Sequence, residues 1–425
     1  MEGFTVHNNV LHADELPLPG LADLAGTPVY IYSARKIRAN IAALRNAFAS
    51  VLPADRQPLI AYACKANSHQ AVLSVCRAEG MGADVVSGGE LRRALAAGIT
   101  PDKIVYSGVG KNDDEIKLAL QHGIRQINVE SEPELERIAA LATAPVTIAL
   151  RLNPNVDAGT HAKITTGRED NKFGMPAARI EALFLKYQNH PHIRLQGISL
   201  HIGSQLTSLD PYRAAFTKLA EFVTHLRTLG CTVATLDLGG GLGIVYENES
   251  APCLVTYAQI IRDTVLALGT ALIVEPGRMI VGDAGILLTR VMYIKDTDAR
   301  RYMILDAGMN DLVRPAMYDA FHGIHPVIHD PAAELLPYDI VGPVCETGDT
   351  FARGRIVPRL QSGALVAIMT AGAYGASMSS TYNTRPAPAE IMVDGTHAAV
   401  IRPRADIQAI IDSDHVPEWL AEAVA

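Results

Sequence analysis

Residues 58–108 read PLIAYACKANSHQAVLSVCRAEGMGADVVSGGELRRALAAGITPDKIVYSG. Three short apolar or β-branched runs, PLIAYACK (58–65), GADVVS (82–87) and KIVYSG (103–108), each end in a polar or glycine-bearing loop, with helical stretches such as GGELRRALAAG between them. A strand that leads into a helix before the next strand is the unit of a parallel sheet, because a parallel neighbour is reached only by a crossover. The theme continues to about residue 280 through QINVES (126–131), PVTIALRLN (145–153), LQGISLHIGS (195–204), TLDLGGG (235–241) and ALIVEPGR (271–278). Between these lie NDDEIKLALQHG, SEPELERIAALA and PYRAAFTKLAEFVTHLRTLG; in the last, Phe216, Leu219, Ala220, Val223 and Leu226 fall on one stripe of a helix. Eight strand–helix units in a row predict an α/β fold with a (β/α)8 barrel of the TIM type over residues 33–280. An open, doubly wound sheet can be drawn from the same alternation, since a strand count does not fix closure.

Outward from the barrel the texture changes. The runs ILLTRVMYIKD, RYMILDAG, YDIVGPVCETGD, ALVAIMTAGAYG and EIMVDGTHAAVI are strand-like, with Pro, Gly and Asp between them and little helix. They predict a second, β-rich domain of sandwich or barrel type over residues 281–425, joined by residues 1–32, where FTVHNN and PVYIY read the same way. A chain of 425 residues is long enough to need two cores. The stretch NVDAGTHAKITTGREDNKFGM (155–175) is too long for a plain connector and reads as a mobile lid; His161, Lys163 and Asn171 within it receive no role.

Composition excludes several classes of function. With 48% hydrophobic and 19% charged residues the chain is globular, and a net charge of −8 without a Lys/Arg run gives nucleic acid nothing to bind. Apolar stretches fall short of the roughly 20 residues that span a bilayer. The start, MEGFTVHNNVLHADELPLPG, lacks the basic and apolar regions of a signal peptide. Five scattered cysteines, Cys64, Cys76, Cys231, Cys253 and Cys345, suit reduced thiols and a cytoplasmic location. Neither a CxxC pair nor HExxH is present, so no metal site is expected.

The polar residues at the strand ends carry the chemistry, because a barrel of this kind works at the C-terminal ends of its strands. They are Lys65, Asp84, Ser107, Arg151, His201, Ser204, the run Gly239–Gly240–Gly241, Glu275 and Arg278. Singly, each has a plain reading: a solvated lysine, a satisfied histidine, a glycine turn. Jointly they suit one cofactor. A lysine shielded from water exposes a neutral amine that condenses with an aldehyde. A glycine run lets backbone N–H groups close on a phosphate. A carboxylate, for which Glu275 is the candidate, holds a pyridine nitrogen protonated, and His201 can stack on the ring. The implied cofactor is pyridoxal 5'-phosphate.

YACKANSH (62–69), HIGSQ (201–205), DLGGGLG (237–243), EPGR (275–278), DAGMNDLVRPAMY (306–318), VGPVCETGD (341–349) and AGAYGASMSSTYNTRP (371–386) resemble the barrel-type pyridoxal-phosphate decarboxylases, and within them most the diaminopimelate decarboxylase branch. The resemblance runs over essentially the whole chain. It implies a barrel with a C-terminal β-domain and a homodimer whose active sites lie at the subunit interface. It implies Lys65 as the lysine that carries the cofactor, Ser204, Gly240 and Gly241 at the phosphate, and Tyr374 reaching the cofactor from the second domain. Glu275, Pro276, Gly277 and Arg278 would border the ring and the substrate. Asp84 and Arg151 are expected to touch the cofactor or support it, with a structural role as the alternative reading. Arg278, Arg314 and Tyr318 match groups that hold a distal carboxylate. Cys345 matches a proton donor and Glu346 a partner for the substrate ammonium, both supplied by the neighbouring subunit. CETGD and YNTRP stand where many members have Ser for Thr; both keep the hydroxyl. The expected reaction is decarboxylation of meso-2,6-diaminopimelate to L-lysine. Alternatives are a decarboxylase of ornithine- or arginine-like amino acids, whose cationic tails would misplace an Arg278/Arg314 pair, a barrel-type racemase, and a non-catalytic homologue that binds the cofactor. Cys64, Cys76, Cys231 and Cys253 keep the plain reading of small buried hydrophobes.

Overall fold

The computed structural model describes residues 3–156 and 172–421. The expected lid residues His161, Lys163 and Asn171 lie outside the described residues. The chain divides into two compact units, one of Lys36–Asp283 and one of Met1–Arg35 with Ala284–Ala425.

The first unit is a closed barrel of eight parallel strands. These are β1 (Leu59–Ala63), β2 (Gly82–Val85), β3 (Ile104–Tyr106), β4 (Gln126–Val129), β5 (Val146–Arg151), β6 (Ile193–Ser199), β7 (Thr235–Asp237) and β8 (Ala271–Val274). Strands adjacent in sequence pair in space, and β8 returns to β1 through Ile273↔Leu59 and Val274↔Ile60. That last pairing makes the sheet a barrel and rules out the open alternative. The strand β3, Ile104-Val105-Tyr106, is buried at every residue, which is why it reads as a continuous apolar run with no alternation. Helices follow strands at sequence-encoded caps. The Ser87 hydroxyl accepts from the Glu90 N–H ahead of the helix Gly88–Ala96, and Ser131 does the same for Glu134 ahead of Glu132–Leu141. Asn112 and Glu115 form a reciprocal capping box at Asp113–His122. Two strands end earlier than the sequence suggests. Lys65 sits in a short 3-10 turn, Cys64–Ala66, just past β1, and β6 stops at Ser199, leaving His201 and Ser204 in the loop beyond it. Among the described residues no helix is long and apolar enough to cross a membrane.

The second unit is β-rich. A nine-stranded mixed sheet is organised on the twelve-residue strand Gly285–Asp296, which pairs antiparallel with Val29–Ser33, Arg301–Leu305 and Leu365–Ile368. Val29–Ser33 also runs parallel to Ala389–Asp394 and is buried along its length. Its side chains alternate between two cores: Tyr30 and Tyr32 pack with Leu287, Leu305 and Ile340, whereas Val29 and Ile31 pack with Leu18, Ile286 and Ile391. A three-stranded sheet, Phe4–His7, Val10–Ala13 and Leu16–Pro17, precedes it.

Candidate active site

At the C-terminal end of the barrel the Lys65 ammonium donates to Asp84 Oδ2 at 3.0 Å. The lysine side chain is 36% exposed while that of Asp84, on β2, is fully buried, so the pair joins the interior to the barrel mouth. Asp84 Oδ1 is buried and has no hydrogen-bond partner among the described residues. A buried acceptor left unpaired costs desolvation energy and commonly marks a functional site.

A layer of polar side chains from β3, β4, β7 and the end of β8 meets beside this pair. Asn128 Nδ2 donates to Asp237 Oδ2 (2.8 Å), to Ser107 Oγ (3.0 Å) and, at 3.4 Å, to Glu275 Oε1. Ser107 donates to Glu275 Oε1 at 3.3 Å, and Asn128 Oδ1 accepts from Gln126 Nε2 at 2.7 Å. The Asp237 and Glu275 carboxyls are neighbours in this layer, both reached by Asn128 Nδ2. Burial pushes both above the usual carboxylate range, Glu275 well above it, and the neighbouring charges of Asp237 and Asp84 push Glu275 further against the pull of Lys65. Two carboxyls brought together in a dry site resist ionising together.

His201 follows β6. Its Nδ1 accepts from the Gly240 N–H at 3.2 Å, which places the proton of the neutral ring on Nε2. Burial, reinforced by the positive charges of Arg151 and Lys65, holds its pKa well below that of an ordinary histidine. Arg151, at the end of β5, donates to Glu130 Oε1 at 2.6 Å and lies over the Phe173 ring.

The glycine turn after β7 is shaped by its backbone. Gly239 and Gly241 have φ of 68° and 102°, and a Cβ at Gly240 or Gly241 would run into the carbonyl oxygens of Glu275 or Gly203. The turn is pinned by Tyr212, whose hydroxyl donates to the Gly240 carbonyl (3.1 Å), and by the Glu275 N–H on the Gly239 carbonyl (2.8 Å). The Asp237 carboxyl accepts from the Gly239 N–H at 3.1 Å, which ties the glycine turn to that carboxyl. Arg278 is buried and donates to Ser204 Oγ (3.0 Å) and to the Tyr246 hydroxyl (2.6 Å). The Pro276 carbonyl accepts from the Ala63 N–H at 3.1 Å, and a Cβ at Gly277 would press on Ala63 and Ala66, which keeps this segment close behind Lys65.

Lys65, Asp84, His201, Ser204, Gly240, Gly241, Glu275, Pro276, Gly277 and Arg278 thus gather at one end of the barrel. The groups suit pyridoxal 5'-phosphate: an amine at the mouth, an unpaired buried acceptor beside it, a neutral imidazole, a buried carboxyl pair and a turn kept bare of side chains. Asn128, Asp237, Glu130 and Tyr246 belong to the same constellation and were not singled out by sequence; a polar Asn inside the apolar run QINV and an Asp preceding the glycines were the available signals.

Arg314, Tyr318, Cys345, Glu346 and Tyr374 belong to the second unit. Arg314 opens the short helix Arg314–Tyr318, and Tyr318, half-buried, closes it. The Arg314 guanidinium donates through Nη1 to His322 Nε2 at 2.9 Å, and His322 Nδ1 meets the Met369 carbonyl at 2.8 Å. Cys345 and Glu346 are exposed on the turn after the strand Leu335–Val341, and the Cys345 N–H donates to Asn383 Oδ1 at 3.1 Å. That turn is anchored by the Asp349 carboxyl, which accepts from the N–H groups of Met309 (2.7 Å) and Val344 (2.6 Å). Tyr374 is half-buried with φ of 56°, a conformation that a bulky residue holds only where its surroundings enforce it.

The chain is similar to known proteins over nearly its whole length. The family described as pyridoxal-dependent decarboxylase, pyridoxal binding domain, matches residues 35–282. The diaminopimelate decarboxylase of Zymomonas mobilis is 44% identical over 422 residues, covering 98% of this chain and 99% of that protein. The crystal structure of diaminopimelate decarboxylase from Helicobacter pylori complexed with L-lysine superposes with a TM-score of 0.89 at 40% identity, covering 93% of this chain and 98% of that one. The M. jannaschii diaminopimelate decarboxylase in co-complex with L-lysine gives a TM-score of 0.94 at 34% identity, over 99% of both chains.

Proposed function

The chain belongs to the pyridoxal-dependent decarboxylases, in their diaminopimelate decarboxylase branch, and from that premise we propose that it converts meso-2,6-diaminopimelate to L-lysine and carbon dioxide with pyridoxal 5'-phosphate. The observation that carries the reading is the Lys65–Asp84 pair at the same barrel end as the bare glycine turn, neutral His201 and the Asp237–Glu275 carboxyls.

When bound, the cofactor supplies an electron sink for the pair left at Cα as carbon dioxide departs. The remaining work falls to this chain. Lys65 would hold the cofactor covalently, with Asp84 orienting its amine. The Gly240–Gly241 turn and Ser204 would receive the phosphate. Glu275, backed by Asp237, would serve the ring nitrogen, and neutral His201 would pack on the ring. Arg278, Arg314 and Tyr318 bind the carboxylate that is retained in the product, and Glu346 binds an ammonium. Fixing both ends of the substrate sets the scissile bond's orientation, an effect worth several kcal/mol, about 7 or more where alignment is good. Cys345 delivers a proton to Cα, and a thiol suits this because its pKa is tunable toward neutrality. The chain works as a homodimer in which Cys345 and Glu346 of one protomer serve the barrel of the other. No disulfide links the five cysteines, and this supports a reducing, cytoplasmic setting.

The test is carbon dioxide release from a panel of meso-diaminopimelate, ornithine, arginine and lysine. Preference for meso-diaminopimelate by at least a hundredfold in kcat/KM is expected. A preference for ornithine or arginine would replace this reading with that of a diamine-forming decarboxylase.

A further inference from the structure

A carboxyl that serves a ring nitrogen inside a barrel must be charged and held in one orientation, and burial works against the first condition. Of the charges around Glu275, those of Asp237 on β7 and Asp84 on β2 oppose its ionisation, and that of Lys65 favours it. Tyr257, on the helix Leu254–Thr264, is kept a neutral phenol by burial. What β4 and the end of β3 add is a set of uncharged donors. Gln126 and Asn128 are at most 2% exposed, Ser107 8% and Glu275 7%, so bulk water has little access to them.

The hydrogens of this set can be placed one by one. Asn128 Oδ1 accepts from Gln126 Nε2 at 2.7 Å, so the amide turns its N–H side to the carboxyls. Nδ2 carries two hydrogens, and its two shortest contacts are Asp237 Oδ2 at 2.8 Å and Ser107 Oγ at 3.0 Å. The Ser107 hydroxyl, accepting from Asn128, donates its own hydrogen to Glu275 Oε1 at 3.3 Å; the direct approach of Asn128 to that oxygen is longer, 3.4 Å. Donation therefore runs one way, from Gln126 through Asn128 and Ser107 to Glu275, with a branch to Asp237. The backbone beneath it is fixed. Lys111 Nζ donates to the carbonyls of Gly108 (2.7 Å) and Asn128 (2.8 Å), and the Ser107 N–H donates to the Val85 carbonyl (2.8 Å).

We propose that Ser107 and Asn128 are positioning residues that act through Glu275: they orient its carboxyl, favour its charged form, and so set how firmly the cofactor's ring nitrogen keeps its proton. The proposal rests on the reading of Glu275 as the group that serves that nitrogen. Neutral donors suit the task better than a cation beside Glu275 would. A further Lys or Arg would also hold the carboxylate, but its positive charge would oppose a protonated ring. A hydroxyl and an amide favour the carboxylate by hydrogen bonding and add no charge of their own.

The test loads wild type, Glu275→Gln, Ser107→Ala, Ser107→Thr and Asn128→Leu with pyridoxal phosphate labelled in its ring by the heavy nitrogen isotope. The magnetic resonance of that nitrogen distinguishes a protonated from an unprotonated ring, and is read at neutral pH beside thermal stability, kcat and KM. Glu275→Gln should move the resonance toward that of the unprotonated ring. Ser107→Ala and Asn128→Leu should move it part of the way in the same direction. Ser107→Thr, which keeps the hydroxyl, should return it to the wild-type position. In Ser107→Ala kcat should fall about tenfold while KM stays within about threefold, as for a lost hydrogen bond to a charged group that matters in the reaction and not in binding. A merely structural role would lower thermal stability and leave the resonance in place. If Glu275→Gln keeps the wild-type resonance, the reading of Glu275 fails and the roles of Ser107 and Asn128 with it. If Glu275→Gln moves it while Ser107→Ala and Asn128→Leu do not, Glu275 stands and the donor chain alone is wrong. Should Asn128→Leu fail to fold, Ser107→Ala decides by itself. A Thr variant displaced as far as Ala would overturn the role of the Ser107 hydroxyl.

Discussion

Lys65 and Lys111 both lie near the barrel's C-terminal end, and their surroundings separate them. Lys111 has its side chain only 1% exposed and spends its three N–H donors on the carbonyls of Gly108 (2.7 Å) and Asn128 (2.8 Å) and on Glu134 Oε1 (2.7 Å). An ammonium so fully paired is a structural cross-link. Lys65, facing Asp84 with its side chain 36% exposed, is the amine proposed to hold the cofactor. Borohydride reduction of the cofactor-loaded protein followed by peptide mass spectrometry should therefore place the pyridoxyl mass on Lys65, and Lys65→Ala should lose both the adduct and the yellow colour. An adduct on Lys111 or any other lysine would remove Lys65 from its role. Glu275 yields a prediction with a definite sign. Its folded-state pKa stands well above the usual value because of burial and the Asp237 charge, so the native state keeps a proton that the unfolded chain releases above about pH 4.3. Stability then falls as pH rises through that window, by at most about 1.4 kcal/mol per pH unit. His201 carries the opposite sign: it is held neutral, so its cost appears as pH falls below about 6.5 and it is silent above neutrality. Glu275→Gln cannot ionise. From about pH 5 upward the cofactor-free variant should gain on wild type in thermal melts as pH increases, and curves that run parallel from that pH on would show that Glu275 ionises normally.

At the scale of elements, the turn after β7 concentrates the demands of the site. A methyl group at Gly240 would collide with the Glu275 carbonyl, which belongs to backbone and cannot rotate away. Gly240→Ala should therefore displace both the turn and the Glu275 segment, weakening cofactor affinity at least tenfold with the far-ultraviolet dichroism of the barrel retained. Equal cofactor affinity would mean that the turn has slack that its geometry does not suggest. The eight barrel strands were legible in the sequence because each is a short apolar run ended by polar or glycine residues, and closure was not, because it depends on Ile273 and Val274 meeting Leu59 and Ile60 across the whole barrel segment. The placement of Lys65 and His201 at strand ends was legible from YACKANSH and HIGSQ. The error of one or two residues in where those strands stop reflects the loss of ladder pairing where the chain turns, a matter of partner strands that one-dimensional reading does not see. Asn128 and Asp237 escaped notice for a related reason. Asn128 sits among apolar neighbours and Asp237 beside glycines, and their meaning comes from a 2.8 Å contact between strands far apart in the chain. Likewise PVYIY announces a strand, but its central place in the second unit is set by pairing with Ala389–Asp394 from the far end of the sequence.

At the scale of the whole molecule, the groups assigned to the reaction are divided between the two units of the chain: Lys65 in the barrel unit, Cys345 in the other. The proposed dimer makes this division functional, since each site would draw Lys65 from one protomer and Cys345 from the other. Lys65→Ala and Cys345→Ala homodimers should each be nearly inactive, because one essential group is missing from both of their sites. When the two inactive proteins are mixed under conditions that let subunits exchange, a two-fold dimer with one chain of each kind has two unlike sites. One site combines both lesions, and the other combines the intact Lys65 of one chain with the intact Cys345 of its partner. Random exchange makes half of the dimers mixed, each with one good site in two, so roughly a quarter of wild-type activity should return by this count for an isologous pair. If Lys65 and Cys345 of the same chain formed a site, every site in a mixed dimer would carry one lesion or the other and no activity would return. The measurement is carbon dioxide release before and after exchange, with mixed dimers counted by native mass spectrometry. Abundant mixed dimers without recovered activity would place both residues in one protomer's site.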